Sequence, residues 1–295
     1  MIGYRITLKR LKEKITAESA DWLTRAAERT ERFRTLGRFD EDSSIWSEVK
    51  VVFMRLQGEG KCVYCERKLE SETFGAVEQD VEHFRPKGNV KTWKAPQSLT
   101  AEGISFTTVP NEDRGYFLLP YHPFNYSAAC KPCNSVLKKD YFPIAGSYKL
   151  TGENPKKLLT EKPYLLYPVG DFDDDPERVI QFHGTSPQSA AATGHKRARA
   201  LVTIEFFKLD DMAKRKNLFR ERAMVVIALF PQLQALTGSG TPAEKAAAQA
   251  LVDGFTSTKA AHTNCAKCFR RLFDANPAEA KAVFDKACQF ILSIS

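Results

Sequence analysis

The chain has 295 residues, 43% of them hydrophobic, enough to bury a sizeable core in one large domain or two smaller ones without obligatory staples. Forty-four Lys and Arg against 36 Asp and Glu leave a formal charge of +8, which favours contact with a polyanion. No run of about eighteen apolar residues offers a membrane span, and Met1 to Lys14 is charged without the apolar core of a secretory leader, so a cytoplasmic protein without membrane contact is expected.

Ala20, Leu23, Ala26, Ala27 and Phe33 recur at helical spacing and predict a helix over 17–36. A second helix is predicted over 44–56, with Ser43 or Ser44 as N-cap and Trp46, Val49, Val52, Phe53 and Leu56 as its apolar stripe; Gly58 and Gly60 end it. From Lys61 to about Pro143 the character changes to cysteine pairs, a histidine amid acids and a Gly- and Pro-punctuated insertion over 87–113. Prolines at 155, 163, 168, 176 and 187 then break the chain, and Tyr164 to Tyr167 reads as a short strand or extended segment. Amphipathic helices are predicted over 189–207, 210–229, 242–252 and 277–292. Three regions follow: an N-terminal helical segment 1–60, a central module 61–145, and a C-terminal extended and helical region 146–295.

Seven cysteines, an odd number without a secretory signal, argue against a disulfide framework. Cys62-Val-Tyr-Cys65 and Cys130-Lys-Pro-Cys133 are two C-x2-C pairs, which together supply the four thiolates of a tetrahedral structural Zn2+. A filled shell of four thiolates has no open position, so this zinc is expected to hold two distant segments together rather than to catalyse. His262, Cys265, Cys268 and Cys288 could supply a second set of ligands, but Cys265 and Cys268 fall in a predicted helix beside Phe269 and Leu272 and read as buried thiols. The acidic run 171–175 lacks the glycine and terminal Glu of a calcium loop and reads as a solvated turn.

Between the two knuckles lies Glu78-Gln-Asp-Val-Glu-His-Phe-Arg-Pro-Lys87, in which a histidine follows closely spaced carboxylates and precedes two cations. Phosphodiester hydrolysis needs that mixture: a general base, a hard divalent ion on oxygen ligands, and cations for flanking phosphates. In order, Cys62 and Cys65, Glu82-His83, Asn125, and Cys130-x2-Cys133-Asn134 resemble the HNH nuclease family. The resemblance implies an α+β fold, a mainly α-helical chain around a central zinc-stapled ββα-metal module. A β-hairpin would carry Glu82 and His83, and a helix from the second knuckle would present Asn134 and Lys138.

It further implies His83 as general base, Glu82 and Asn134 as ligands of a catalytic Mg2+ or Mn2+, and Asn125 as the residue that ties the active-site loop. Asp80 could share the metal role. Arg85, Lys138 and Lys139 are the expected phosphate-binding cations. A narrower resemblance rests on Asp80 to Lys87, Ala129 to Asn134, Lys139 to Pro143, Glu161 to Pro168 and Asp173 to Glu177. These blocks look like the HNH effectors of Septu-type and retron-linked antiphage systems, which implies an ABC- or SMC-like ATPase partner and nucleic acid, DNA in the first instance, as substrate. The alternatives are a non-catalytic zinc-dependent nucleic-acid-binding module and a partner-controlled subunit; DNA against RNA and the oligomeric state stay open.

Overall fold

In a computed structural model of the chain, which describes residues 1–294, the fold is α+β with two small antiparallel sheets among ten α-helices. Two helices form at the N-terminus, α1 (Leu8–Glu18) and α2 (Trp22–Leu36), where a single helix over 17–36 is the sequence expectation. The lysines and arginines of α1 disguise its buried pair, Leu11 and Ile15, which sit one turn apart on the inward face. Gly37 closes α2 in the left-handed conformation, at φ 67°, where a side chain is disfavoured. A 3-10 turn at Trp46–Val49 runs into α3 (Lys50–Leu56), and Trp22, buried beneath the turn, donates from Nε1 to the Ile45 carbonyl at 2.8 Å.

The central region follows. Helix α4 (Glu72–Glu78) leads directly into β1 (Gln79–His83), and α5 (Gln97–Ala101) lies in the insertion beyond it. Strand β2 (Tyr126–Cys130) pairs antiparallel with β1, Glu82 opposite Ser127 and His83 opposite Tyr126. A short helix, Pro132–Lys138, leaves the second knuckle with π-type winding; Lys139 N–H donates to the Asn134 carbonyl five residues back. The strands are thus joined by the whole 84–125 segment rather than by a tight hairpin. Gln57 secures β2 from the far side: its buried amide accepts from Ala128 N–H at 2.8 Å and donates to the Ala128 and Lys61 carbonyls.

A second hairpin, β3 (Ile180–His183) with β4 (Ser186–Ser189), precedes α6 (Gly194–Phe206), α7 (Lys216–Thr237), α8 (Pro242–Thr256), α9 (Thr263–Ala275) and α10 (Pro277–Ile294). The apolar core does not divide at residues 60 and 145. One cluster runs from Met1 to Leu218 and takes in the N-terminal helices, both knuckles and the β1–β2 pair; a second, from Ala223 to Ala287, belongs to α7–α10. Phe182 packs against both clusters, and polar contacts also cross the seam between them. Lys61 donates to the Thr258 and Ala260 carbonyls and to Thr263 Oγ1, and Asn264 reaches the Ile180 carbonyl at 2.7 Å.

The acidic run is not a solvated turn. The Asp173 side chain is buried and receives Arg199 at 2.6 and 2.7 Å and the Tyr167 N–H at 2.8 Å, while Asp174 takes a further bond from Arg199. A buried guanidinium is stable only when its donors are met, so these carboxylates are the fixed counter-charges of α6. Among the described residues no helix is long and apolar enough to cross a membrane.

Candidate active site and metal centre

Cys62, Cys65, Cys130 and Cys133 are buried with their sulfurs all within 4.8 Å of one another. Cys65 and Cys130 approach to 3.8 Å, far beyond a disulfide bond and equal to the edge, about 3.8 Å, of a tetrahedron with Zn–S bonds of about 2.3 Å. Hydrogen bonds from Cys130 and the other two thiols push Cys65 well below the usual thiol range, whereas the same cluster pushes Cys133 up. One thiolate forms readily and further ones do not, a deficit that a dication at the centre offsets. Arg215 adds positive charge from α7's start, its Nη2 3.7 Å from Cys133 Sγ. The donor set fits zinc. Cys265, Cys268 and His262 are engaged elsewhere, with the Gly184 carbonyl, Asn264 and Arg271, and Glu221 respectively.

Strand alternation sends Glu82 and His83 to opposite faces of β1. On one face, Glu82 is buried, accepts from Tyr64 Oη at 3.2 Å and lies 3.3 Å from Lys138 Nζ. Burial raises its pKa, while Lys138, Tyr64 and Lys87 pull the other way. Two residues earlier on the same face, Asp80 Oδ2 accepts from Asn134 Nδ2 and Ser135 Oγ, both at 3.2 Å. The short helix thus meets this face of β1 at both ends, Asn134 and Ser135 at Asp80 and Lys138 at Glu82. Lys138 Nζ is buried without a hydrogen-bond acceptor in good geometry, so the position beside Glu82 already accommodates positive charge.

On the other face, the imidazole of His83 stands edge-on to Trp46 and Tyr126, with ring centroids at 4.8 and 5.0 Å. Its Nε2 lies 3.1 Å from the Pro120 carbonyl, which can only accept. The proton therefore sits on Nε2 and the lone pair on Nδ1. Burial and then Lys87 push its pKa well below the usual histidine value, only partly opposed by that hydrogen bond.

Asn125 is wholly buried, and each end of its amide is used. Oδ1 accepts from Arg85 N–H at 2.8 Å, and Nδ2 donates to the Arg85 and Leu119 carbonyls at 3.0 and 3.1 Å. This clamps the exit of β1 to the segment that supplies Pro120. His122, three residues earlier, accepts from Phe124 N–H and caps a short turn.

The three expected phosphate cations part company. Arg85 is in the core and not at a phosphate: Nε pairs with Glu161 at 3.1 Å, Nη2 donates to the Leu158 carbonyl, and the guanidinium lies over Phe84, Tyr116 and Phe142. Lys138 is buried against Glu82, whereas Lys139 is exposed, at φ 45°, directly after the helix. Lys87, not singled out by the sequence, acts on both Glu82 and His83. The clue was its place as the second cation after the histidine, but nothing in the order of residues says which of Arg85 and Lys87 has a carboxylate partner in the core.

No family model matches the chain, and no solved structure matches it. Against curated proteins it aligns over 205 residues at 30% identity. The relative is Septu protein PtuB of Bacillus mycoides (strain KBAB4). The aligned segment covers 68% of this chain and 57% of PtuB, so the chain spans little more than half the length of that relative.

Proposed function

We propose that the chain is a metal-dependent HNH-type endonuclease whose active-site strands are stapled by a structural zinc on Cys62, Cys65, Cys130 and Cys133. The observation that carries the reading is the setting of His83: a buried ring whose Nε2 lies 3.1 Å from the Pro120 carbonyl, which assigns the proton to Nε2 and leaves Nδ1 as a base. The ring's described contacts, edge-on to Trp46 and Tyr126 and through Nε2 to Pro120, give Nδ1 no partner. The order antiparallel pair, knuckle, short helix supports the same reading, as does the Asn125 clamp at the HNH middle-Asn position.

In this mechanism Nδ1 of His83 takes a proton from water as its oxygen attacks phosphorus, the phosphorus–oxygen bond opposite breaks, and the departing oxygen takes a proton from solvent. Glu82 and Asn134, with Asp80 sharing the role, would hold the divalent ion. When bound, that ion supplies Lewis acidity to the phosphoryl group and charge stabilisation to the leaving oxygen. Asn125 keeps the imidazole aimed, exposed Lys139 offsets phosphate charge, and Lys138, wholly buried, stays with Glu82 instead of reaching a phosphate. The test is Glu82→Gln with Mg2+ or Mn2+ titrated and nucleic-acid binding measured in the same samples. Cleavage should fall about a hundredfold or more while binding persists; unchanged cleavage removes Glu82 from the metal site, and binding without cleavage by the unaltered chain as well leaves a zinc-dependent binding module.

We infer further that the chain serves antiphage defence as a Septu-type effector with an ABC- or SMC-like ATPase as partner. Similarity to Septu protein PtuB supports this. Cells carrying the pair should resist phage, and His83→Ala should remove that resistance; resistance that survives the substitution separates defence from cleavage.

A further inference from the structure

Lys87 is held in an unusual way for a cation. It follows Pro86, whose carbonyl accepts from Tyr116 N–H at 2.8 Å, and the backbone of Gly115 lies so close that a Cβ there would come within 2.5 Å of the Lys87 carbonyl carbon and oxygen. The main chain is therefore locked. Its ammonium lies 4.7 Å from the centre of the Trp46 ring and 5.7 Å from that of Phe39, and the same indole stands 4.8 Å from the His83 ring. Among the described residues it makes no hydrogen bond and no ion pair, and its half-buried position lowers its pKa through desolvation. Asp140, Glu82 and Glu41 attract it only at longer range, and Lys138 repels it.

A desolvated, unpaired ammonium is costly to keep, and the aromatic faces return only part of the cost. Arg85, two residues earlier, has its counter-charge in Glu161; Lys87 has none, and it sits where its field reaches both the proposed base and the proposed metal carboxylate. We propose that Lys87 grips a phosphate oxygen of the nucleic-acid strand at this site, with Trp46 and Phe39 as the aromatic box that holds its ammonium in place. The assignment rests on the nuclease reading, and it makes Lys87 a substrate-binding residue that acts before any proton moves. Trp46 then has two tasks, to align Lys87 with one face and to confine His83 with its surroundings.

The experiment uses the full-length chain carrying His83→Ala, so that substrate survives, and a labelled single-stranded DNA oligonucleotide titrated in Mg2+ at several salt concentrations. Lys87→Met keeps the apolar stem over Trp46 and removes the charge. It should weaken binding about tenfold and reduce the slope of log affinity against log salt by about 0.7, the share of one phosphate on a single strand. Lys87→Arg should restore most of both, and equal thermal midpoints exclude a folding defect. Affinity and slope unchanged in Lys87→Met overturn the proposal while leaving the nuclease reading intact; no binding by the His83→Ala chain, together with no cleavage by the unaltered one, overturns both.

Discussion

The two larger apolar cores of this chain are built on different terms. The first, from Met1 to Leu218, encloses charges: Arg85 with Glu161, Lys138 with Glu82, and Arg199 with Asp173, beside four clustered thiols. The second, from Ala223 to Ala287, is apolar side-chain packing between helices, with Phe230 stacked on Phe284 at 4.5 Å and edge-on to Phe273. Buried ion pairs add little net stability but are severely penalised when one partner is lost, whereas apolar packing degrades in proportion to the volume removed. The region that holds the candidate site is thus specified by pairs that must all be present, and the helical region by bulk.

The chain also carries its own means of telling the two apart. All three tryptophans, Trp22, Trp46 and Trp93, lie in or against the first core. Tryptophan fluorescence therefore follows that core, with the small cluster of Leu99, Ile104, Tyr164 and Val202 beside Trp93, and not the second core, while far-ultraviolet circular dichroism follows all the helices. The largest effect expected is from metal removal. Structural zinc binding in small domains is worth about 10–16 kcal/mol, so Cys62→Ser or a strong chelator should collapse the fluorescence signal while the helical signal of α7–α10 largely remains. Loss of both signals together would make the two cores one cooperative unit.

Next comes Glu161→Ala, which strands the Arg85 guanidinium and removes the acceptor of Tyr116 Oη and Lys149 N–H. A loss of about 3–5 kcal/mol is expected in the fluorescence-monitored denaturant midpoint. A smaller loss, about 2–4 kcal/mol, is expected for Leu229→Ala in the second core, seen by circular dichroism and not by tryptophan. Reversal of these two probes would show that the division is misplaced.

The smallest effect is one of pH. Burial holds His122 at a pKa of about 4, below its usual 6.5, so the folded chain stays neutral there when the unfolded chain takes up a proton. Stability present above about pH 6.5 is therefore lost as pH falls towards 4, by at most about 1.4 kcal/mol per pH unit from this group. His122→Asn keeps an acceptor for Phe124 N–H and should flatten that slope; an identical slope would place the titration elsewhere.

What could be read from sequence was whatever is carried by short spacing. Two C-x2-C pairs announce a shared metal because each pair already faces one point, and their convergence required no knowledge of the residues 66–129 between them. Most of the C-terminal helices were legible from periodicity, with ends displaced by a few residues, as in α7, which begins at Lys216 rather than at 210. Pairings across long separations were not legible. Arg85 and Asp173 look like surface charges until Glu161 and Arg199 are brought to them from 76 and 26 residues away. Helix α1 was missed because only Leu8, Leu11 and Ile15 mark its inner face among many cations.

The role proposed for His83 in metal-dependent phosphodiester cleavage is open to direct measurement. It is tested most directly by incubating plasmid and single-stranded DNA with the purified chain and Mg2+ or Mn2+, wild type beside His83→Ala, with total zinc quantified in the same samples. Cleavage is expected at about one zinc per chain, reduced about a hundredfold or more in the variant with its zinc retained. Cleavage that persists in His83→Ala, or none by the zinc-loaded wild type with either metal, would contradict it.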